Sequence, residues 1–487
     1  MRKFARATRE GENVKRFGLV AALLAVALGA SACGRSSSPA SPTTPAGGSN
    51  ETTTAAAGAG PGDFGTLKNV CGPGHQTTSP DQGVTADSIN VATSADPGFT
   101  GRLGLDQELF DAAEVFTKWC NAAGGINGRQ IKLDEEDAKL FNFDAVIKKV
   151  CATAFFFVGS GNVFDNDPGQ KDRLKCLLPQ VPAYVVTSQA RDADLSIQPL
   201  PNRTQTIGAT SMLYVQKQFP DAVKSVVTMT GNTPATLLVD AQEREAAKQL
   251  GWTLDGATLQ YPALGETSWV PNAQQIADAH AKGLIYTGEP QNLGLLEKAL
   301  QQIGYKLDFI LASANHYDAK LISTGAGAIA NTYIQIGFVP FFDASKNPPT
   351  QQYLDLFQKY KPSGKSHAVL GPQGFSAWLL FALAADKCGA DVTRKCVFDN
   401  LTTVGGTAWT GGGLHAPQDV QDQKASDCGV VLEAGSNLPN GGFELAPGFT
   451  PNSGYYSCDP ASVLTLHGDY GQGDTLASVG KSLSDLK

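Results

Sequence analysis

The 487-residue sequence predicts an α/β protein with mostly parallel sheets flanked by helices. Short β-branched and aromatic runs alternate with longer stretches whose apolar residues recur every three to four positions, the pattern of strands covered by helices. Phe155-Phe156-Phe157-Val158 is apolar throughout rather than alternating, which suits a strand buried on both faces. The alternation runs in two series, the second starting at Gly208.

The first series opens with a strand over 84–95, centred on Ile89-Asn90-Val91-Ala92. Leu105, Leu109, Ala112, Ala113, Phe116 and Trp119/Cys120 then share one helix face. Gly124-Gly125 ends that helix, because glycine takes the left-handed cap geometry without steric cost. Asn127-Gly128 turns the chain, and Ile131/Leu133 alternate with Gln130/Lys132 as a strand would. A helix over 143–153 sets Val146, Ile147 and Val150 on one face, followed by the strand 155–158 and another over 182–187. The second series reads helix to 219, strand 225–229, helix 235–250, strand 258–261 and helix 273–281. Strand 283–287, helix 293–303, strand 308–312 and a helical return over 351–359 and 375–387 complete it.

Within this pattern, Gly124-Gly125-Ile126-Asn127-Gly128-Arg129 closely resembles the GGINGR signature near the first helix of type I periplasmic solute-binding proteins, the branched-chain amino acid (Leu/Ile/Val) group. Singly these residues fit any capped helix before a strand; the string in order carries the resemblance, which spans about residues 84–446. It implies a two-lobed Venus-flytrap with the hinge crossed about three times. Lobe 1 is expected at 67–205 and 336–395, lobe 2 at 206–335 and 396–446, and a C-terminal extension over 447–487, draped over a lobe and held by a disulfide.

The N-terminus points outside the cytosol. Residues 1–16 carry Arg2, Lys3, Arg6, Arg9, Lys15 and Arg16, and an apolar run over 17–29 follows. That run is too short for a membrane span and reads as a signal peptide over 1–32. Ala30-Ser31-Ala32-Cys33 resembles a lipoprotein cleavage box, which implies lipidation of Cys33 and attachment to the bacterial cell membrane; Ala30 departs from the usual leucine. Residues 34–62 are almost entirely Ser, Pro, Thr, Ala and Gly, so 33–66 is expected to be a lipid anchor and flexible tether. Eight further cysteines in an exported chain read as disulfides. Eight allow 105 pairings; the sequential one, Cys71–Cys120, Cys151–Cys176, Cys388–Cys396 and Cys428–Cys458, is favoured because each closes a short path within one lobe.

Outside 1–32 the chain carries 44 acidic against 32 basic residues, a net near −12, which does not suit nucleic acid. No G-x-S-x-G, H-E-x-x-H or phosphate-binding loop occurs, and His75, His280, His316, His367, His415 and His467 lack metal spacing. Gly364-Lys365-Ser366 mimics the end of a phosphate loop, but Lys359 stands where its first glycine belongs. No enzyme activity, cofactor or metal is therefore expected.

Ligands of open α/β sheets sit at the carboxyl ends of strands. The resemblance places a carboxylate-binding loop at Ser160 and Gly161 and a second contact loop at Ser188, Gln189 and Ala190. Arg191 stands where the amino-acid binders have threonine, which counts against an α-amino acid; the arginine would pair a second carboxylate of the ligand or simply face solvent. Trp269 matches an aromatic cleft position, Glu289 an acidic partner of an ammonium group (Gln291 in strict alignment), and Phe99 is a wall candidate. The implied function is capture of a small polar solute, an amino acid or related amide or carboxylate, and delivery to an ABC permease by a monomer. The alternative is a surface sensor or co-receptor of the same fold with no transport role.

Overall fold

Two sheets, each built largely from parallel strands, organise residues 60–166 and 168–487, which the computed structural model describes. The signal segment, Cys33 and most of the tether lie outside the described residues. In the first lobe β1 (Ser88–Ala95), β2 (Gln130–Asp137), β3 (Phe156–Val158) and β4 (Gln180–Val181) form a parallel sheet in the order β2-β1-β3-β4. Helices α1 (Gln107–Ala122), α2 (Phe143–Val150), α3 (Gly169–Lys175) and the short α4 (Ser188–Arg191) connect and follow these strands.

β5 (Thr206–Gly208) and α5 (Thr210–Gln218) lead into the second lobe. There β6 (Val226–Gly231), β7 (Leu259–Tyr261), β8 (Gly283–Thr287), β9 (Phe309–Ala312) and β10 (Thr332–Ile336) alternate with α6 (Pro234–Gln249), α7 (Val270–Asp278), α8 (Pro290–Gln302) and α9 (Ala319–Gly325). The chain then returns to the first lobe as α10 (Pro348–Tyr360), α11 (Leu370–Asp386) and α12 (Arg394–Gly405). It re-enters the second sheet as β11 (Cys428–Ala434) and β12 (Phe443–Leu445), both antiparallel, giving the order β12-β11-β10-β9-β8-β6-β7. No described helix is long and apolar enough to cross a membrane.

The first lobe is organised around α11, which is apolar nearly all round and buried nearly all round, as such a helix must be. Trp378 of α11 stacks on Phe116 of α1 at 5.6 Å between ring centres, and Phe375 meets Phe116 edge-on at 5.4 Å. The Gly124–Arg129 string is structural. Gly124 and Gly125 have φ of +119° and +85°, and a Cβ on Gly125 would lie 2.2 Å from the Arg129 carbonyl oxygen, so glycine is required there. Arg129 is wholly buried and donates to the carbonyls of Thr78, Thr85, Gly389 and Ala390, joining three distant segments.

Two expectations need revision. Residues 182–187 do not pair as a strand. Pro182 has no N–H to donate, Ala183 N–H goes to the Ser160 carbonyl, and those of Val186 and Thr187 go to the Asp165 carboxylate. The expected passage into lobe 2 at 396 falls inside α12, which packs on α11. Buried Arg394 fixes α12 to the first lobe by donating to the carbonyls of Ala154, Phe155, Cys176 and Leu177.

The structure pairs Cys71 with Cys120, Cys151 with Cys176, Cys388 with Cys396 and Cys428 with Cys458, as befits an oxidising compartment. Residues 447–487 reach both lobes. β13 (Ser457–Cys458) pairs with β11, and β14 (Val463–Thr465) pairs with β5. Leu476 and Leu486 then pack with Leu174 and Leu195 of the first lobe. The Cys428–Cys458 bond closes a separation of 30 residues. A Cys428→Ser/Cys458→Ser variant is expected to lose about 3–4 kcal/mol by loop-closure entropy; chemical denaturation under non-reducing conditions would show this, and an unchanged midpoint would contradict it.

Candidate functional site

Loops from the C-terminal ends of strands in both lobes meet at one cleft. From the first lobe come Phe99, Gly101, Arg102 and Leu105 after β1, Leu140 after β2, and Val163 and Phe164 after β3. From the second come Thr233 and Thr236 after β6, Tyr261, Ala263 and Leu264 at β7, and Gly288, Glu289, Gln291 and Asn292 after β8. Arg102 forms an ion pair with Glu289 across the gap. The cavity volume is about 60 Å³, well under the roughly 300 Å³ at which ordinary ligand sites begin. The two walls approach closely, and this ion pair is a direct link between them.

The first lobe satisfies its own strand ends. Asp96, directly after β1, is fully buried and accepts from the N–H groups of Leu140 (2.7 Å) and Val163 (3.1 Å). Asp165 accepts from Val186 and Thr187, both at 2.9 Å. Burial lifts the Asp165 carboxyl to about 6, against the pull of those donors. Asp106, at the start of α1, accepts from the Tyr184 hydroxyl at 2.6 Å. Burial, with Glu108 nearby, lifts it to about 7.

Residues 198–437 match the family model described as periplasmic binding protein. A possible leucine/isoleucine/valine-binding protein from Rhodopirellula baltica superposes with a TM-score of 0.61 at 13% identity, covering 74% of this chain and 96% of that one. The fold is that of the type I periplasmic binding proteins. The substrate-binding protein of a Streptococcus pneumoniae branched-chain amino acid transporter, solved with isoleucine, superposes at 0.58 with 14% identity over 74% and 99% of the two chains. A fatty acid ABC transporter substrate-binding protein from Thermomonospora curvata gives 0.58 at 16% identity over 80% and 95%. A comparison with curated protein sequences finds no match.

In this fold the residues singled out from the sequence fall in different places. Phe99 and Glu289 face each other's lobes in the cleft, and Gln291 lines it too. Ser160 and Gly161 do not line it. Ser160 is buried, Gly161 donates to the Ser94 carbonyl, and a Cβ on Gly161 would lie 2.2 Å from the Tyr184 ring. Ser188, Gln189 and Ala190 form the first turn of α4 and meet the C-terminal extension, where Asp474 N–H donates to the Gln189 carbonyl. Trp269 is buried one layer behind the cleft wall, edge-on to Tyr261 at 4.9 Å. Tyr261 shares a 2.7 Å hydroxyl hydrogen bond with Tyr286.

Arg191 lines a separate cavity of about 280 Å³ on the hinge side and donates to Gln242 at 2.8 Å. Arg102 and Tyr261 were not picked out from the sequence. Their signal was positional, since Arg102 shares the first strand-end loop with Phe99 and Tyr261 closes β7.

Asp106 gives the site a pH signature. A carboxyl raised from 3.8 to about 7 holds more proton folded than unfolded in that range, so its contribution to stability is lost as pH rises through about 7. Asp106→Asn keeps an acceptor for Tyr184 and tolerates the left-handed backbone (φ 55°). Between pH 5 and 8 the wild type is expected to lose more stability than this variant, by on the order of a few kcal/mol. Thermal unfolding at both values tests this, and equal pH slopes would refute it.

Proposed function

We propose that this protein is an extracytoplasmic solute-binding lipoprotein that captures a small solute in the interlobe cleft and hands it to an ABC permease. The observation that carries this reading is the cleft itself. Strand-end loops of two hinged lobes supply its walls, and one ion pair, Arg102–Glu289, spans it. Closure of this kind buries the guest and changes the outer shape that a membrane partner meets. The similar structures bind or serve chemically distant cargo, isoleucine in one case and fatty acids in another, so an amino acid, an amide or a carboxylate all fit the scaffold. Phe99 and Glu289 remain in the proposed site, joined by Arg102, Tyr261 and Asn292. The chain acts as a monomer, tethered at lipidated Cys33 to the bacterial cell membrane and performing no chemistry on its cargo.

A thermal-shift screen of small metabolites tests the reading. A ligand at one hundred times its dissociation constant is expected to stabilise the protein by about 2.7 kcal/mol. Thr236→Trp fills the cleft and should abolish that response with the fold intact by circular dichroism; a response that persists would place the ligand elsewhere. Deleting the gene should abolish uptake of the same solute by cells.

Anchoring is tested separately. Cys33→Ser is expected to move the protein from the membrane fraction to the soluble exported fraction on cell fractionation, and retention in the membrane would end the lipoprotein assignment.

A further inference from the structure

The charged heads of a zwitterionic amino acid need both free donors and free acceptors, and the first lobe has already committed many of its own. Asp96 and Asp165 occupy the N–H groups of Leu140, Val163, Val186 and Thr187. On the other wall the Thr236 hydroxyl bonds Thr233 (2.8 Å) and the Gly231 carbonyl, and Tyr261 bonds Tyr286. The formal charges lining the cleft are Arg102 and Glu289, bound to each other. Arg102 is the more covered, its side chain 13% exposed against 28% for Glu289.

Beyond Thr233, Thr236, Gln291 and Asn292 the rest of the lining is largely apolar, and the apolar surface continues outward. Phe99 meets Phe141 edge-on at 5.9 Å, and Phe141 meets Phe164 at 5.3 Å. Phe141 and Leu264 are each 64% exposed, and Leu264 lines the opposite wall. With Leu103, 77% exposed and one residue from cleft-lining Arg102, these are the three most exposed large apolar side chains among the described residues. Exposed apolar side chains gathered at one rim mark a surface built to be covered.

We propose that the solute is a monocarboxylate with an apolar aromatic or acyl body and no ammonium group. Its carboxylate replaces that of Glu289 on Arg102, its body lies between Phe99, Phe164 and Leu264, and Glu289 turns out to water. This rests on the cleft being the solute site. In the proposed site Glu289 holds, on Arg102, the place that the ligand's own carboxylate takes. A guanidinium suits this role because its fork matches a carboxylate geometrically.

Phenylacetate, hexanoate, phenylalanine, leucine and benzyl alcohol serve as probes, followed by calorimetry on the full-length exported protein. Phenylacetate or hexanoate should bind, while the two amino acids, whose ammonium would be buried unpaired, and the alcohol, which lacks a charged hydrogen bond to Arg102, should each bind at least about tenfold more weakly. Arg102→Gln should weaken the carboxylates by at least about tenfold, whereas Glu289→Gln, which removes the competing carboxylate, should strengthen them. Both variants break the same ion pair, so opposite responses cannot come from its loss alone.

If phenylalanine or leucine binds the wild type and Glu289→Gln abolishes that binding, the solute class is overturned while the cleft stands. If none of the probes binds but a wider screen finds a ligand sensitive to Thr236→Trp, the class is overturned likewise. If no ligand at all depends on the cleft, the proposed function falls with it.

Discussion

Buried main-chain polar groups must find partners, and the first lobe meets that demand with charged side chains. Asp96 and Asp165 accept backbone N–H groups at the strand ends. Arg129 and Arg394, both buried, donate to carbonyls of segments far apart in the chain, and buried Arg173 does the same for the nearer Leu178 and Leu195. An unanswered buried amide or carbonyl costs about 1–3 kcal/mol, so each of these side chains stabilises several groups at once. Three of the four parallel strands are short or at an edge, and the loops around them would otherwise have little to hold them.

That internal accounting shapes the cleft. A parallel sheet ordinarily offers its strand-end N–H groups to a ligand, but here carboxylates of the protein's own chain hold several of them. What remains facing the gap is largely aromatic and aliphatic, with one cationic and one anionic side chain, each the other's partner. The gap therefore presents a few side chains rather than free backbone groups, and it can differ in chemistry from the corresponding region of proteins that share its fold at 13–16% identity.

The C-terminal segment ties the two lobes together. It is bonded to β11 through Cys428–Cys458, pairs with β5 at the hinge, and ends in the apolar cluster of Leu174, Leu195, Leu476 and Leu486. Glu245 of α6 holds it midway by accepting from His467, Gly468 and Tyr470, and these donors keep that carboxyl near 2. The segment passes from one lobe to the other over the short stretch between Tyr470, bonded to Glu245, and Asp474, whose N–H donates to the Gln189 carbonyl.

The sequence by itself determined the alternation of strands and helices, the glycine-dependent turn at 124–129 and the α/β class, because periodicity and backbone freedom are local properties. It did not reveal that 182–187 would give its N–H groups to Asp165, that α12 would stay with the first lobe, or that Trp269 would stand behind Tyr261 rather than in the cleft. It marked Phe99 and Glu289 by their place after strands, yet passed over Arg102 in the same loop as Phe99. Only the tertiary structure decided which strand-end residues face the gap. That choice depends on contacts between residues well over a hundred positions apart, as Arg102 and Glu289 are, and no local pattern encodes such a distance.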